Sequence, residues 1–90
     1  MPQRVTATYR GHVQGVGFRY TTRSVAHQYA VKGYVKNITS GDVALVAEGE
    51  RGELQAFLDA VQQAMRGHIS GSDIRWEEAT GQFDAFDVRF

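Results

Sequence analysis

Apolar and polar residues alternate along several short stretches of this chain, and in two other stretches the apolar residues recur every three or four positions. Strict alternation is typical of a half-buried β-strand, whereas the wider spacing is typical of an amphipathic helix. The first alternating run, residues 5–10, therefore predicts a strand. Helical spacing then extends from Phe18 to Ala30, which predicts a helix of about three turns that stops near Gly33.

The rest of the chain predicts four further strands and a second helix. Two of these strands flank a segment of turn-forming residues and read as a hairpin. The second helix shows an apolar stripe followed by a glycine, the residue expected just after a helix end. In chain order, the predicted elements are a strand at 34–38, a turn at 39–42, a strand at 43–47, a helix at 54–65, a short strand at 74–78 and a strand at 83–90.

The order of strands and helices predicts an α+β domain that spans residues 1–90. Apart from the short strand at 74–78, it is the order of a split βαβ, ferredoxin-like sandwich, with two helices packed on one face of an antiparallel sheet of four to five strands. Right-handed crossovers predict that the first and last strands lie side by side in the middle of the sheet. A chain of 90 residues is long enough to bury one such two-layer core.

Composition and charge narrow the classes of function. Ten basic and ten acidic residues give a formal net charge of zero, so no overall field attracts the chain to nucleic acid or to an anionic membrane. The absence of cysteine excludes disulfides, thiolate nucleophiles and cysteine-based zinc sites. The histidines, at positions 12, 27 and 68, lack metal-ligand spacing, so surface roles are expected for them. No apolar run resembles a signal peptide or a membrane span, and we expect a cytoplasmic protein.

The segment between the first strand and the first helix carries the candidate chemistry. Residues 11–19 read Gly-His-Val-Gln-Gly-Val-Gly-Phe-Arg. Glycines permit positive φ and turn backbone N–H groups inward, and Arg19 places a permanently charged guanidinium at the helix start. The segment therefore predicts a binding loop for a phosphate or carboxylate group. A tight turn without a ligand is the simpler alternative, because the loop lacks the endings of the nucleotide and dinucleotide motifs.

This loop, together with Gly33-Tyr34-Val35-Lys36-Asn37, resembles the acylphosphatase family. The likeness extends over the whole chain, from the loop to the Phe-x-Val-x-Phe ending. It implies hydrolysis of the carboxyl-phosphate bond of an acyl phosphate to carboxylate and inorganic phosphate. It also implies that Arg19 holds the phosphate together with loop amides and that Asn37 orients the attacking water. The loop residues expected to bind substrate are Gln14, Gly15, Val16, Gly17 and Phe18.

The implied enzyme is a monomeric hydrolase that uses neither a metal nor a cofactor. Its leaving group is a weakly basic carboxylate, so positioning and charge stabilisation matter more than a general acid. Its expected ligands are a small-molecule acyl phosphate and inorganic phosphate, as product and competitor, and no nucleic acid or membrane partner is expected. The chain departs from the commonest family pattern at His12, Tyr34 and residues 38–40, none of which is assigned to the chemistry. Because His12 differs from the family pattern, the affinity for substrate and the response of the activity to pH are not predicted.

Two other functions stay open at this point. Residues 15–18 are superficially similar to the core motif of RNA-recognition domains, but that motif lies on a third strand, whereas here it precedes the first helix. The neutral net charge also argues against RNA binding. The other possibility is a non-catalytic anion sensor, which needs Arg19 but has no use for a water-orienting amide at Asn37.

Overall fold

The computed structural model describes residues 1–90 and contains five strands and two helices. Both helices pack against one sheet, with apolar residues of both buried in a single core. The elements are β1 (Gln3–Gly11), α1 (Phe18–Ala26), β2 (Lys32–Asn37), β3 (Val43–Gly49), α2 (Arg51–Ala64), β4 (Ile69–Glu78) and β5 (Phe86–Arg89). The α+β class, the two helices and the upper strand count are therefore confirmed. Neither helix is long and apolar enough to cross a membrane.

The strands form one sheet in the order β4-β1-β3-β2-β5. Neighbouring strands are antiparallel except for β2 and β5, which run parallel. The sheet is thus mixed rather than wholly antiparallel. The predicted placement of the first and last strands side by side was wrong, because β3 is central and β5 lies at the edge beside β2. The physical reason is the connection from β4 to β5, residues 79–85, which crosses the open face of the sheet, so that Phe83 packs edge-on against Tyr34 of β2.

The core lies between the sheet and the two helices. Alternate residues of β1 are buried, as the alternation predicts, and the apolar stripe of α2 is buried as well. Helix α1 ends at Ala26, earlier than predicted. After His27, the N–H groups of Gln28 and Tyr29 bond three residues back, to the carbonyls of Val25 and Ala26, so the apolar spacing continues in a tighter turn. Tyr29 still reaches the core, where its ring centroid lies 6.3 Å from that of Phe57.

The starts of two strands differ from the prediction by three residues or more. Strand β4 begins at Ile69 rather than at residue 74, and its residues are mostly exposed. An exposed edge strand shows no apolar alternation, so its first half is defined only by backbone pairing with β1. Strand β5 is shorter than predicted because residues 83–85 belong to the crossing connection.

Glu48, at the end of β3, fastens that connection to the sheet. Its carboxylate accepts hydrogen bonds from Arg4 Nε at 2.8 Å, from the N–H and hydroxyl of Thr80 at 2.9 Å each, and from the Gly81 N–H at 2.9 Å. Burial alone would raise the pKa of Glu48, but these bonds to the charged form outweigh it and lower the pKa from 4.5 to about 2. The side chain is buried, so Glu48 is an ionised group inside the structure.

Candidate functional site

The loop between β1 and α1 turns sharply at two glycines. Gly15 and Gly17 have φ of 77° and 76°, in the left-handed region that L side chains rarely adopt. Gly17 is also the N-cap of α1, where no side chain makes a capping hydrogen bond and no acidic residue lies in the first turn. The glycines therefore have the conformations that the sequence predicted, and the helix begins without an anionic side chain of its own.

Backbone donors are available along this loop and the start of α1. The His12 N–H bonds to the His68 carbonyl at 2.8 Å, and the first helical bond runs from the Thr21 N–H to the Gly17 carbonyl at 3.0 Å. Between these two, the N–H groups of residues 13–20 donate to no backbone carbonyl. Free N–H groups at the positive end of a helix dipole are the standard protein site for an anion.

A cavity of about 260 Å³ opens at this loop, and five of the seven predicted site residues line it. Arg19 and Asn37 both line it, although Arg19 lies in the first turn of α1 and Asn37 ends β2. Gln14 and Val16, which were also predicted to bind substrate, do not line it. The full lining is Val13, Gly15, Gly17, Phe18, Arg19, Tyr20 and Asn37.

The end of β5 orients the Arg19 guanidinium. Arg19 Nη1 donates to the Arg89 carbonyl at 3.1 Å, and its Cζ lies 4.5 Å from the centroid of the Phe90 ring. Arg19 forms no salt bridge, so no acidic group of the protein neutralises its charge. One guanidinium N–H is used by the carbonyl, and a guanidinium carries five. Sequence reasoning missed this contact, since nothing in residues 89–90 marks them as neighbours of the loop.

The Gln14 side chain points away from the cavity and toward the β2–β3 hairpin. Its Nε2 donates to the Ile38 carbonyl at 2.8 Å and to the Asp42 carbonyl at 2.9 Å. These two residues also bond to each other, from the Ile38 N–H to the Asp42 carbonyl at 3.0 Å. The loop and the hairpin that carries Asn37 are therefore joined by one side chain.

Known proteins match this chain over nearly its whole length. A model of the acylphosphatase family matches residues 5–88. This chain belongs to the acylphosphatase family. Among its relatives, an acylphosphatase from Salinibacter ruber is 40% identical over 88 residues, which is 97% of this chain and 93% of the relative. One from Geotalea uraniireducens is 37% identical over 91 residues, which is the whole of both chains.

A solved structure agrees with the sequence relatives. The crystal structure of acylphosphatase from Bacillus subtilis superposes with a TM-score of 0.87 at 30% identity and covers all of both chains. The family resemblance seen in the loop and in residues 33–37 is thereby confirmed, as are the expected acylphosphatase class of enzyme and its ferredoxin-like fold. The roles of single residues are a separate matter and stay predictions.

The histidines lie apart from the cavity lining. The rings of His12 and His68 are 6.1 Å apart between centroids, and both side chains are exposed, as is that of His27. Their predicted surface position is confirmed. No group of three or more His, Cys, Asp or Glu side chains is placed to hold a metal ion.

A larger groove of about 640 Å³ lies at the opposite end of β1, beside its first residues and the end of β4. Its lining includes Glu77 and Glu78, whose carboxylates repel an anion. Both cations of the lining are engaged, since Arg51 stacks on the Trp76 ring at 4.0 Å and the Met1 ammonium pairs with Glu50 at 3.2 Å. Size alone would favour this groove, but its charges do not suit a phosphate. The smaller cavity at the glycine loop is the better candidate for the family's chemistry.

Proposed function

We propose that this protein hydrolyses acyl phosphates in the cavity at the glycine loop, with the phosphoryl group held by loop amides and Arg19 and the attacking water oriented by Asn37. The observation that carries the proposal is the lining of that cavity, in which Arg19, Asn37 and the left-handed glycines meet. Membership of the acylphosphatase family supports the reaction class.

The cavity suits the binding of a phosphoryl group for three physical reasons. Residues 13–20 present N–H groups without backbone partners, at the positive end of the α1 dipole. Arg19 can give parallel charge-assisted hydrogen bonds to two phosphate oxygens, which a lysine cannot reproduce. The lining contains no carboxylate that would repel the ligand.

The reaction follows from the chemistry of the substrate. Water attacks phosphorus while the bond from phosphorus to the carboxyl oxygen breaks, and the carboxylate leaves with the electron pair of that bond. The Asn37 carboxamide accepts a hydrogen bond from the water and so directs its lone pair toward phosphorus. The proton of the water passes to a phosphate oxygen, and no general base is needed. The fixed hydrogen-bond donors of the loop and Arg19 stabilise the charge on the phosphate oxygens in the transition state. The fixed positions of the phosphoryl group and the water supply much of the remaining rate enhancement.

Kinetics of two variants test this assignment. With a small aromatic acyl phosphate and a chelator present, we expect Arg19→Ala to lose phosphate inhibition and to lower kcat/KM by about 10²–10³-fold or more. We expect Asn37→Ala to keep the inhibition constant of phosphate and to lower kcat by about 10²–10³-fold. Arg66→Ala, which removes an exposed arginine that forms no salt bridge, is the control and should match the wild type.

Three outcomes would contradict the proposal. Unchanged phosphate inhibition in Arg19→Ala would mean that the phosphate binds elsewhere. Full turnover by Asn37→Ala would mean that another group orients the water. Phosphate binding by the wild type without any hydrolysis would favour the anion sensor. The monomeric state, the cytoplasmic location and the absence of a nucleic acid partner stay predictions.

A further inference from the structure

Gln14 joins the two halves of the proposed site through its side chain. Its Nε2 lies within hydrogen-bond distance of two carbonyl oxygens, those of Ile38 at 2.8 Å and Asp42 at 2.9 Å. An amide nitrogen carries two hydrogens, so each carbonyl receives one. Both bonds are partly buried and span 24 and 28 residues of sequence.

The position between these two carbonyl oxygens requires a side chain that donates two hydrogen bonds. Both neighbours of the Gln14 amide group are carbonyl oxygens, so the carboxamide must present its NH₂ group to them, and its oxygen must point away. A carboxylate of the same shape would set oxygen against oxygen. A thioether side chain would fill the space but make neither bond.

The two carbonyls are those that close the hairpin next to Asn37. The Ile38 carbonyl also accepts from the Gly41 N–H at 3.0 Å, and the Asp42 carbonyl accepts from the Ile38 N–H at 3.0 Å. Asn37 directly precedes this bonded ring and is paired with Val43 in the sheet. The two hydrogen bonds of Gln14 thus fix the hairpin to the loop. One of their acceptors, the Ile38 carbonyl, belongs to the residue that directly follows Asn37.

On the loop side, both neighbours of Gln14 line the cavity. Val13 and Gly15 face it, while Gln14 itself does not. The Gln14 side chain therefore sets the separation between the part of the loop that borders the cavity and the hairpin that carries Asn37.

We propose that Gln14 is a positioning residue, whose paired hydrogen bonds hold the Asn37 amide at the distance from the loop that in-line attack requires. This inference rests on the proposed function, since it assigns Asn37 to the water. In-line displacement is sensitive to geometry, and a misplacement of about 1 Å can cost about 10²-fold in rate. Phosphate binding depends on the loop amides and Arg19, and Gln14 does not contribute its side chain to it.

The test compares Gln14→Met and Gln14→Glu with the wild type and with Gln28→Met, which changes an exposed glutamine in the turn after α1. We expect both Gln14 variants to lower kcat by about 10-fold or more, up to the 10²-fold cost of a misplacement of about 1 Å. In Gln14→Met, which adds no charge to the loop, the inhibition constant of phosphate should change less than about twofold. Gln28→Met should leave both constants unchanged.

A double-mutant cycle separates positioning from general structural damage. If Gln14 acts through Asn37, Gln14→Met has little effect on kcat once Asn37 is already alanine. An equal fold-loss of kcat in both backgrounds would overturn the proposal, as would a rise in the phosphate inhibition constant that matches the fall in kcat.

If the double variant is too slow to assay, NMR of the single variant Gln14→Met tests the same proposal. In Gln14→Met, the side-chain NH₂ resonances of Asn37 should move or broaden, while the loop amides still respond to inorganic phosphate. Unchanged Asn37 resonances would overturn the proposal.

The kinetics of the single variants distinguish the failure of the two proposals. Full turnover by Asn37→Ala refutes the proposed function itself. A slow Asn37→Ala beside a fully active Gln14→Met refutes only the role of Gln14.

Discussion

At the scale of single residues, Thr22 in α1 is a buried polar side chain without a partner. Its hydroxyl oxygen is fully buried and makes no hydrogen bond. An unsatisfied buried polar group costs about 1–3 kcal/mol, so replacing it by a methyl group should be favourable. We expect Thr22→Val to raise the free energy of unfolding by about 1 kcal/mol in a urea titration.

The adjacent threonine provides the control for that measurement. Thr21 is only half-buried, and Thr21→Val should change the free energy of unfolding by no more than about 0.5 kcal/mol. If Thr22→Val instead destabilises the protein, the Thr22 hydroxyl has a partner in solution and this interpretation of the core is wrong.

The residues of the site differ in how far sequence could predict them. Gly15 and Gly17 were identifiable because positive φ has a residue preference, and the structure gives both glycines that conformation. The side-chain contact of Gln14 could not be found in this way, because its partners are backbone carbonyls that any residue supplies. The same holds for the Arg89 carbonyl that accepts from Arg19.

At the scale of elements, Glu48 ties the connection between β4 and β5 to β3, and this contact should depend on pH. The folded pKa of Glu48 is lowered from 4.5 to about 2 because its hydrogen bonds to Thr80, Arg4 and Gly81 outweigh its burial. A lowered folded pKa stabilises the native state above the unfolded pKa. The stabilisation is thus complete above about pH 4.5 and is lost as the pH falls through that value toward 2.

Unfolding experiments on Glu48→Gln measure this effect. At pH 7 we expect the variant to be less stable by about 2 kcal/mol, the range of a hydrogen bond to a charged group. The difference from the wild type should narrow as the pH is lowered from 4.5 toward 2. Glu77→Gln, at an exposed glutamate, should show no such pattern. A difference that stays constant across this range would mean that the Glu48 charge is not what holds the connection.

The apolar pattern of the sequence predicted an element well where one face of that element is buried. The large apolar residues that α2 places at helical spacing are buried, and the prediction for this stripe is confirmed; they are Leu54, Phe57, Leu58 and Val61. The first half of β4 lies at a sheet edge with mostly exposed residues, so it carries no pattern to detect. Helix α1 ended early because apolar spacing cannot distinguish an α-helix from the tighter turn at Gln28 and Tyr29.

At the scale of the whole molecule, the proposed site exists only in the complete fold. The cavity takes its walls from the loop after β1, the start of α1 and the end of β2, and the last residues of the chain hold Arg19. Sequence predicted the class of this fold from the order of its elements. It did not predict where β5 lies, because that depends on the path of residues 79–85 over the open face, and the contacts of Glu48 and Phe83 that set the path are long-range.

The central claim is that the glycine loop and Arg19 bind a phosphoryl group opposite Asn37. The most direct test is to titrate the isotope-labelled protein with inorganic phosphate and to follow its amide resonances by NMR. The account predicts saturable shifts of the backbone amides of residues 15–19, of Arg19 Nε–H and of the Asn37 side chain, all absent in Arg19→Ala. Shifts centred on the larger groove near Arg51, or shifts in the loop that persist in Arg19→Ala, would contradict it.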